Sequence, residues 1–361
     1  MDRAIAAWLP KDQKPSSTTL EFCKKIQKSY VVYGSMVLLP STAFQLLNEI
    51  EFDNDLAKLY ELIAYQLKIT HIAYAQPIPP RDENNQTENI IRSPSNFSAL
   101  YGDFGPTSCD YPPVQRDFEA AFWTTAKQNG IFQTWAPRWT MFSRGNISEK
   151  ARILTLSSVL SAVEQGKQDG RGCAAVDLYA GIGYFTFSYL KAGVSQVLGW
   201  DLNPWSVEGL RRGATANKWS VEVAEDGQAK FDEAIAAEPR LLACNRSNEE
   251  ALDKIKKFRQ LIPPVRHVNC GLLPSSRGSW PIAVGVLDPE MGGWIHIHEN
   301  FAATEIDVKA EEVRLTIRNL MHENGQVGRE PKIDHINALK SYAPGVIHFV
   351  LDIYIPPANP I

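Results

Sequence analysis

The sequence predicts an α/β fold for the larger, C-terminal part of the chain, and three observations carry that prediction. From about residue 153 onward, short apolar segments alternate with helical patterns. One such segment, Ala174-Ala175-Val176, runs into Asp177-Leu178-Tyr179-Ala180-Gly181-Ile182-Gly183, a tight glycine turn ahead of an amphipathic helix that stops at Ala192-Gly193. The next segment, 196–200, ends on an acid, Asp201, followed by Leu202-Asn203-Pro204. Strand, glycine turn, helix, strand and carboxylate form the first half of a nucleotide-binding unit. Glycines there let the backbone approach a ligand where a Cβ would clash, and Asp201 offers acceptors to both hydroxyls of a ribose. The expected ligand contains adenosine.

What is missing narrows it. A dinucleotide turn carries a third glycine where Thr186 stands, so that a pyrophosphate can rest on the helix N-terminus, and here Tyr184 and Phe185 are bulky. Such a turn suits a ligand without phosphates. S-adenosylmethionine (SAM), with an amino-acid tail in their place, fits. A plain βαβ turn would also hold two glycines; the acids Asp177 and Asp201 favour SAM.

Along the chain, strands are expected at 30–33 and 36–39, then a helix over 41–67 broken near Phe52-Asp53-Asn54-Asp55. Residues 76–98, with Pro77, Pro79, Pro80 and Ser93-Pro94-Ser95, read as a solvated, mobile loop. The stretch 101–152 carries Trp123, Trp135 and Trp139 among Gly, Pro and Arg, and its segment 133–146 is too polar for a core and too aromatic for a linker; loops of this kind tend to be functional. A helix follows at 153–163. Strands are expected at 174–178, 196–200, 241–244, 266–270, 294–298 and 346–354. Helices are expected at 184–191, 204–216, 249–260 and 307–322, with a short one near 281–288. Residues 221–240 read as an insertion before the third strand, and the very apolar last strand as central. A parallel sheet with a late antiparallel strand is the pattern of a class I SAM-dependent methyltransferase-like, Rossmann-like domain. The predicted organisation is an N-terminal α+β region (1–100), an aromatic and basic segment (101–152) and a catalytic domain (153–361).

Bulk properties exclude several classes. With 361 residues, 44% hydrophobic and 22% charged, the chain is globular, and no run reaches the length of a membrane span. Its first ten residues show no secretory signal. Cys23, Cys109, Cys173, Cys244 and Cys270 lack Cys-x-x-Cys spacing and read as reduced thiols, which points to the cytoplasm, with no metal. A net charge of −4 argues against indiscriminate nucleic-acid binding but allows a local basic groove. No obligate protein partner is evident.

Ser247 and Asn248, after the third strand, are placed to meet an adenine amino group, or to cap the helix that follows. Asn269-Cys270-Gly271-Leu272-Leu273-Pro274 lies where such transferases put the acceptor; an ordinary strand-to-helix turn would look similar. His296 and His298 alternate on a strand and face one side; with no third ligand at metal spacing, the structural reading is preferred. Arg138, Arg144, Lys150, Arg152, Arg211, Arg212 and Arg266 are basic residues near the expected cleft. Arg138 and Arg144 lie among tryptophans, the mixture that contacts phosphate and stacks on bases of looped RNA.

Met141-Phe142-Ser143-Arg144-Gly145-Asn146-Ile147-Ser148-Glu149-Lys150-Ala151-Arg152, the 177–183 turn, Asn203-Pro204, Val268 to Ser276 and Gly292 to Asn300 together resemble the wybutosine-synthesising aminocarboxypropyltransferases. These are relatives of the tRNA guanine-N1 methyltransferases that act beside the anticodon. The resemblance runs from about residue 100 to the end. It implies a cytoplasmic enzyme that moves the 3-amino-3-carboxypropyl group of SAM onto 4-demethylwyosine in the anticodon region of tRNA(Phe), releasing methylthioadenosine. It further implies that Ser143 and Lys150 contact SAM, that Asp201 holds the ribose and that Ser247 and Asn248 meet the adenine; Asp177, Tyr179, Gly181 and Gly183 complete the cofactor set. The family has Gly-Asp-Asn where Arg246-Ser247-Asn248 stands, so a carboxylate gives way to a hydroxyl. Lys150 or Arg144 is expected to pair the carboxylate of the arm, and Arg138, Arg144, Asn269 and Pro274 to line the substrate pocket. No residue presents itself as a general base. Two other readings remain at this point: a methyltransferase of the guanine-N1 type, in which a compact Asn-Leu-Pro replaces the wider Asn269…Pro274 spacing, and a non-catalytic SAM- and RNA-binding subunit.

Overall fold

A computed structural model describes residues 1–11, 14–46, 56–75, 89–94, 96–224 and 228–358. The chain packs into two units, Met1–Ala126 with Thr134–Phe142, and Lys127–Gln133 with Ser143–Ile361. The stretch 101–152 is therefore divided between them. Most of the loop expected at 76–98, and the helix break expected at 52–55, lie outside the described residues.

The first unit holds α1 (Asp2–Trp8), α2 (Ser17–Ser29), β1 (Val31–Tyr33), β2 (Met36–Pro40), α3 (Ser41–Phe44), α4 (Leu56–Leu67), β3 (His71–Ala75), β4 (Phe97–Tyr101) and α5 (Gln115–Ala120). Its sheet runs β1-β2-β3-β4, with β2 and β3 parallel and the other pairs antiparallel. Phe22, Ile26, Leu59, Ile63 and Ile72 are fully buried at its centre. β5 (Thr124–Gln128) and β6 (Ile131–Trp135) then form a two-stranded sheet.

In the second unit, α6 (Ile147–Ile153) and α7 (Ser157–Gln168) lead into an alternating series. It runs β7 (Ala174–Asp177), α8 (Thr186–Ala192), β8 (Gln196–Asp201), α9 (Pro204–Ala216), β9 (Val221–Ala224), α10 (Gln228–Ala236), β10 (Leu241–Asn245), α11 (Ala251–Lys257), β11 (Val265–Cys270), α12 (Trp280–Val286), β12 (Gly293–Ala302), α13 (Ile306–Glu323), β13 (Lys332–Ala343) and β14 (Val346–Ile355). The eight-stranded sheet is ordered β13-β14-β12-β11-β7-β8-β10-β9. β14 lies antiparallel between β12 and β13, and the pairs from β12 through β11, β7, β8 and β10 to β9 are parallel. The expected late antiparallel strand is thus present, one place in from the edge rather than at the centre.

The parallel strands are buried on both faces, as β7 and β11 show along their whole length. Ala174 and Val176 join one apolar cluster and Ala175 the other, as strand alternation requires. Asn203 caps α9 by accepting from Trp205 N at 3.0 Å, with Pro204 in the first turn. Gly193 closes α8 at φ +106°. Two expectations are corrected. Residues 221–224 and 228–236 are a strand and a helix that extend the sheet at its edge, not an insertion outside it, and the helix expected at 153–163 starts only at Ser157, after α6 has ended at Ile153.

Candidate functional site

The carboxyl ends of β7, β8 and β10 build one side of the site. Asp177 is fully buried, and its oxygens accept from Thr186 N (3.1 Å), Thr186 Oγ1 (2.8 Å), Asn269 Nδ2 (3.0 Å) and Tyr179 N (3.4 Å). Desolvation pushes its carboxyl up against these bonds. With both oxygens engaged by the chain, Asp177 shapes the turn rather than reaching outward. Gly181 (φ +54°) and Gly183 (φ +93°) need positive φ, and a Cβ on either would lie 2.6 Å from the ring of Tyr184 or Phe187. The chain's own aromatic rings by themselves therefore require glycine at both positions. Tyr179 is partly buried and packs against the core.

Asp201 is partly exposed. Its two oxygens accept one amide each, Gly181 N and Asn203 N, both at 2.9 Å. Each oxygen keeps a lone pair for a hydroxyl, so the residue fits a ribose. Burial pushes its carboxyl up to about 6, against the two amide bonds, with the Asp177 carboxylate adding to the rise. Ser247 caps the turn over Asn248–Glu250 by accepting from Glu249 N at 3.3 Å, the capping role weighed above. Asn248 donates to Leu178 O at 2.8 Å, which brings it against the glycine turn. Its side chain joins the loop after β10 to the loop after β7.

The other side is built by α6 and the strands at the far flank. Lys150 is 3% exposed, and its Nζ donates to Gln128 Oε1 (3.0 Å), Gln133 Oε1 (3.1 Å) and Ser143 O (3.1 Å), 5.1 Å from the ring centroid of Tyr184. Burial lowers its ammonium to about 7. Ser143 N donates to Tyr184 Oη at 3.3 Å, so the segment before α6 is tied to the glycine turn. Arg152 forks onto Asp352 (2.6 and 3.0 Å) and onto Glu149 (2.9 and 2.6 Å), while Asn337 donates to Glu149 at 2.6 Å. His296 Nδ1 lies 2.6 Å from Asp352, and its Nε2 3.1 Å from His267 Nδ1. Burial opposes the Asp352 charge, but His296 and Arg152 outweigh it and hold the carboxyl well below the usual carboxylate range. His298 and His348 form a second pair at 3.0 Å. The histidines are thus members of buried polar networks, and no group of three or more His, Cys, Asp or Glu side chains arranged to hold a metal occurs among the described residues.

The acceptor loop places its two candidates differently. Asn269 is fully buried with its amide on Asp177, and its Oδ1 has no hydrogen-bond partner; Pro274 is exposed. Glu299 Oε1 accepts from Ser275 Oγ (2.7 Å) and Ser276 N (3.1 Å), which fastens this loop to β12. Arg138 belongs to the first unit, its guanidinium 5.6 Å from the ring centroid of Phe97, and the side chain of Arg144 lies outside the described residues. Three basic candidates are accounted for otherwise. Arg211 and Arg212 both pair with Glu208 at 2.7 Å, and Arg266 is buried on Gly292 O and Gln165. Trp135, expected in a functional loop, is a core residue of the first unit, 2% exposed and stacked on Phe142.

Sequence reasoning missed Tyr184 as a partner of Ser143, and Gln128 and Gln133 as partners of Lys150. It also missed the Asp352 end of the Arg152 bridge.

The sheet order and the acid closing β8 define a class I SAM-dependent transferase fold. No protein-family model matches the chain. It is 37% identical over 334 residues to tRNA wybutosine-synthesizing protein 2 of Schizosaccharomyces pombe, covering 91% of this chain and 72% of that one. The Saccharomyces cerevisiae protein of the same name is 32% identical over 309 residues, 79% of this chain and 60% of that one. Among solved structures, P. horikoshii TYW2 in complex with MeSAdo matches with a TM-score of 0.62 at 19% identity, over 99% of each chain. The chain belongs to the tRNA wybutosine-synthesizing protein 2 family.

Proposed function

We propose that the protein transfers the 3-amino-3-carboxypropyl group of SAM to the 4-demethylwyosine base beside the anticodon of tRNA(Phe), in wybutosine synthesis, releasing methylthioadenosine. The observation that carries the reading is the 37% identity to the S. pombe protein across 91% of the chain. The chemistry of the site agrees with it. Bound there, SAM supplies a sulfonium-activated Cγ, and the electron pair of the broken S–Cγ bond stays on sulfur. Asp201 accepts from the ribose hydroxyls, and Asn248, with Ser247 beside it, meets the adenine edge. Lys150 exchanges a neutral acceptor for the carboxylate of the arm, a stronger, charge-assisted bond. Ser143 borders the same arm.

The loop from Asn269 to Pro274 lines the place of the base, and Arg138 is a candidate for a tRNA phosphate. Positioning provides most of the rate, because the electron-rich base carbon is itself the nucleophile: it forms the new bond to Cγ and then gives up its proton to water. No helix among the described residues is long and apolar enough to cross a membrane, and the proposed compartment is the cytoplasm.

The test is label transfer. The protein is mixed with tRNA(Phe) carrying 4-demethylwyosine and with SAM labelled either in the carboxyl carbon or in the methyl carbon. Carboxyl label alone is expected in the tRNA. Methyl label alone would make the protein a methyltransferase, and label from neither would return it to a binding role.

A further inference from the structure

We infer that the buried bridge of Arg152, Asp352, Glu149 and Asn337 is a positioning device that sets α6 so that Lys150 faces the amino-acid arm of SAM. The inference rests on the cofactor reading above and adds residues to it that do not themselves touch the ligand.

α6 has seven residues, too few to hold a helix in water by propensity, and no side chain caps its N-terminus. Ile153 anchors its last turn in the apolar core, and the rest of what holds it is polar. Arg152 grips Asp352 on β14 through two bonds and Glu149 on its own helix through two more. Asn337 on β13 closes the set on Glu149, and Ser188 on α8 donates to Lys150 O at 2.9 Å. Glu149 is 1% exposed and Asp352 1%.

Burying so much charge is a poor way to gain stability, since apolar residues of similar size commonly do as well or better. A guanidinium fork contributes something apolar packing does not: it fixes orientation, because both parallel bonds are lost if the helix turns. Glu149 and Arg152 are three apart and share a side of α6, while Lys150 projects about 100° round from Glu149. A rotation of α6 by about 10° would move a side chain at a radius of about 6 Å by about 1 Å. A misplacement of that size is enough to cost a well-oriented transfer dearly.

The anchor is also well chosen. Asp352 is in register with His296, His296 with Asn269, and Asn269 with Asp177. The bridge therefore references Lys150 to the same row of strands that carries the glycine turn.

The test compares two ligands that differ in the arm. Wild-type protein, Asp352→Asn and Asn337→Ala are titrated with SAM and with methylthioadenosine, which lacks the arm. Asp352→Asn is expected to weaken SAM at least tenfold and methylthioadenosine less than twofold. Asn337→Ala, at a partly exposed site, is expected to weaken SAM alone by two- to fivefold, and it keeps the test open if Asp352→Asn does not fold. Parallel loss of both ligands would show a merely structural bridge, and no change in either would remove its role; both overturn the inference. Wild-type protein that binds neither ligand would overturn the cofactor reading itself, and the inference with it.

Discussion

The two sides of the site are built in opposite ways. On the adenosine side, the partners that set the glycine turn and the ribose carboxylate are near in sequence: Asp177 and Thr186 are nine residues apart, Asp201 and Gly181 twenty, Asp201 and Asn203 two, while Asn248 and Asn269 join the turn from 70 and 92 residues away. On the arm side, Arg152 and Asp352 are 200 residues apart, and Glu149 and Asn337 are 188. The turn and the ribose carboxylate belong to one βαβ unit. The bridge exists only once the whole sheet has formed. The fit for a ribose is thus largely a local property of this chain, and the setting of α6 is a global one.

Damage to each side should therefore have a different signature. The largest effect is expected from Gly183→Ala. Its φ of +93° and the Phe187 ring 2.6 Å from the new Cβ combine backbone strain with overpacking. A loss on the order of 3 kcal/mol of stability is expected by denaturant unfolding, with both ligands lost together. An unchanged unfolding midpoint would mean that the turn relaxes freely.

Next comes Lys150→Met. Removing a charge-assisted bond of about 1.5–3 kcal/mol should weaken SAM by roughly 10- to 150-fold and leave methylthioadenosine untouched. The wild-type pH profile carries the same message. The Lys150 ammonium of the free protein is lost above about 7, so pairing the arm carboxylate takes up a proton, and SAM binding should weaken as pH rises through 7. The Met variant should lack that alkaline limb.

A smaller loss, about tenfold, is expected for Asp201→Asn, shared equally by SAM and methylthioadenosine because both carry the ribose. The Asp201 carboxyl stays protonated up to about 6, so wild-type binding of both ligands should weaken as pH falls through 6. Unequal losses would blur the division between the two sides. Smallest of all, Asn203→Ala removes the α9 cap and should cost about 1 kcal/mol of stability, with ligand affinities little changed.

The same division explains what was legible in the chain. The strands from 174 to 200 and the acid at Asp201 announced themselves, because short-range patterning dictates them. β13 did not. It is an edge strand whose exposed Lys332, Asp334, His335 and Lys340 carry no apolar alternation, and charge of this kind is how edges are kept from pairing further. β9 is a four-residue edge strand, too short for a pattern to declare itself. Arg152 stood out as basic, but nothing local to it points to Asp352, and the parity that places His296 on a face does not say which strand lies beside it. Trp135 misled for a related reason: a tryptophan among arginines has the composition of an RNA-binding loop, and only the packing of the first unit shows it buried on Phe142. Even the glycines were legible in position but only partly in cause, since the Tyr184 and Phe187 rings exclude a Cβ at either of them whatever else approaches the turn.

The most direct test of the account is the structure of this protein with SAM bound. It should place the arm carboxylate within hydrogen-bond reach of Lys150 Nζ and the ribose hydroxyls on Asp201. An arm directed away from Lys150, with the methyl group turned toward the Asn269–Pro274 loop instead of Cγ, would contradict it.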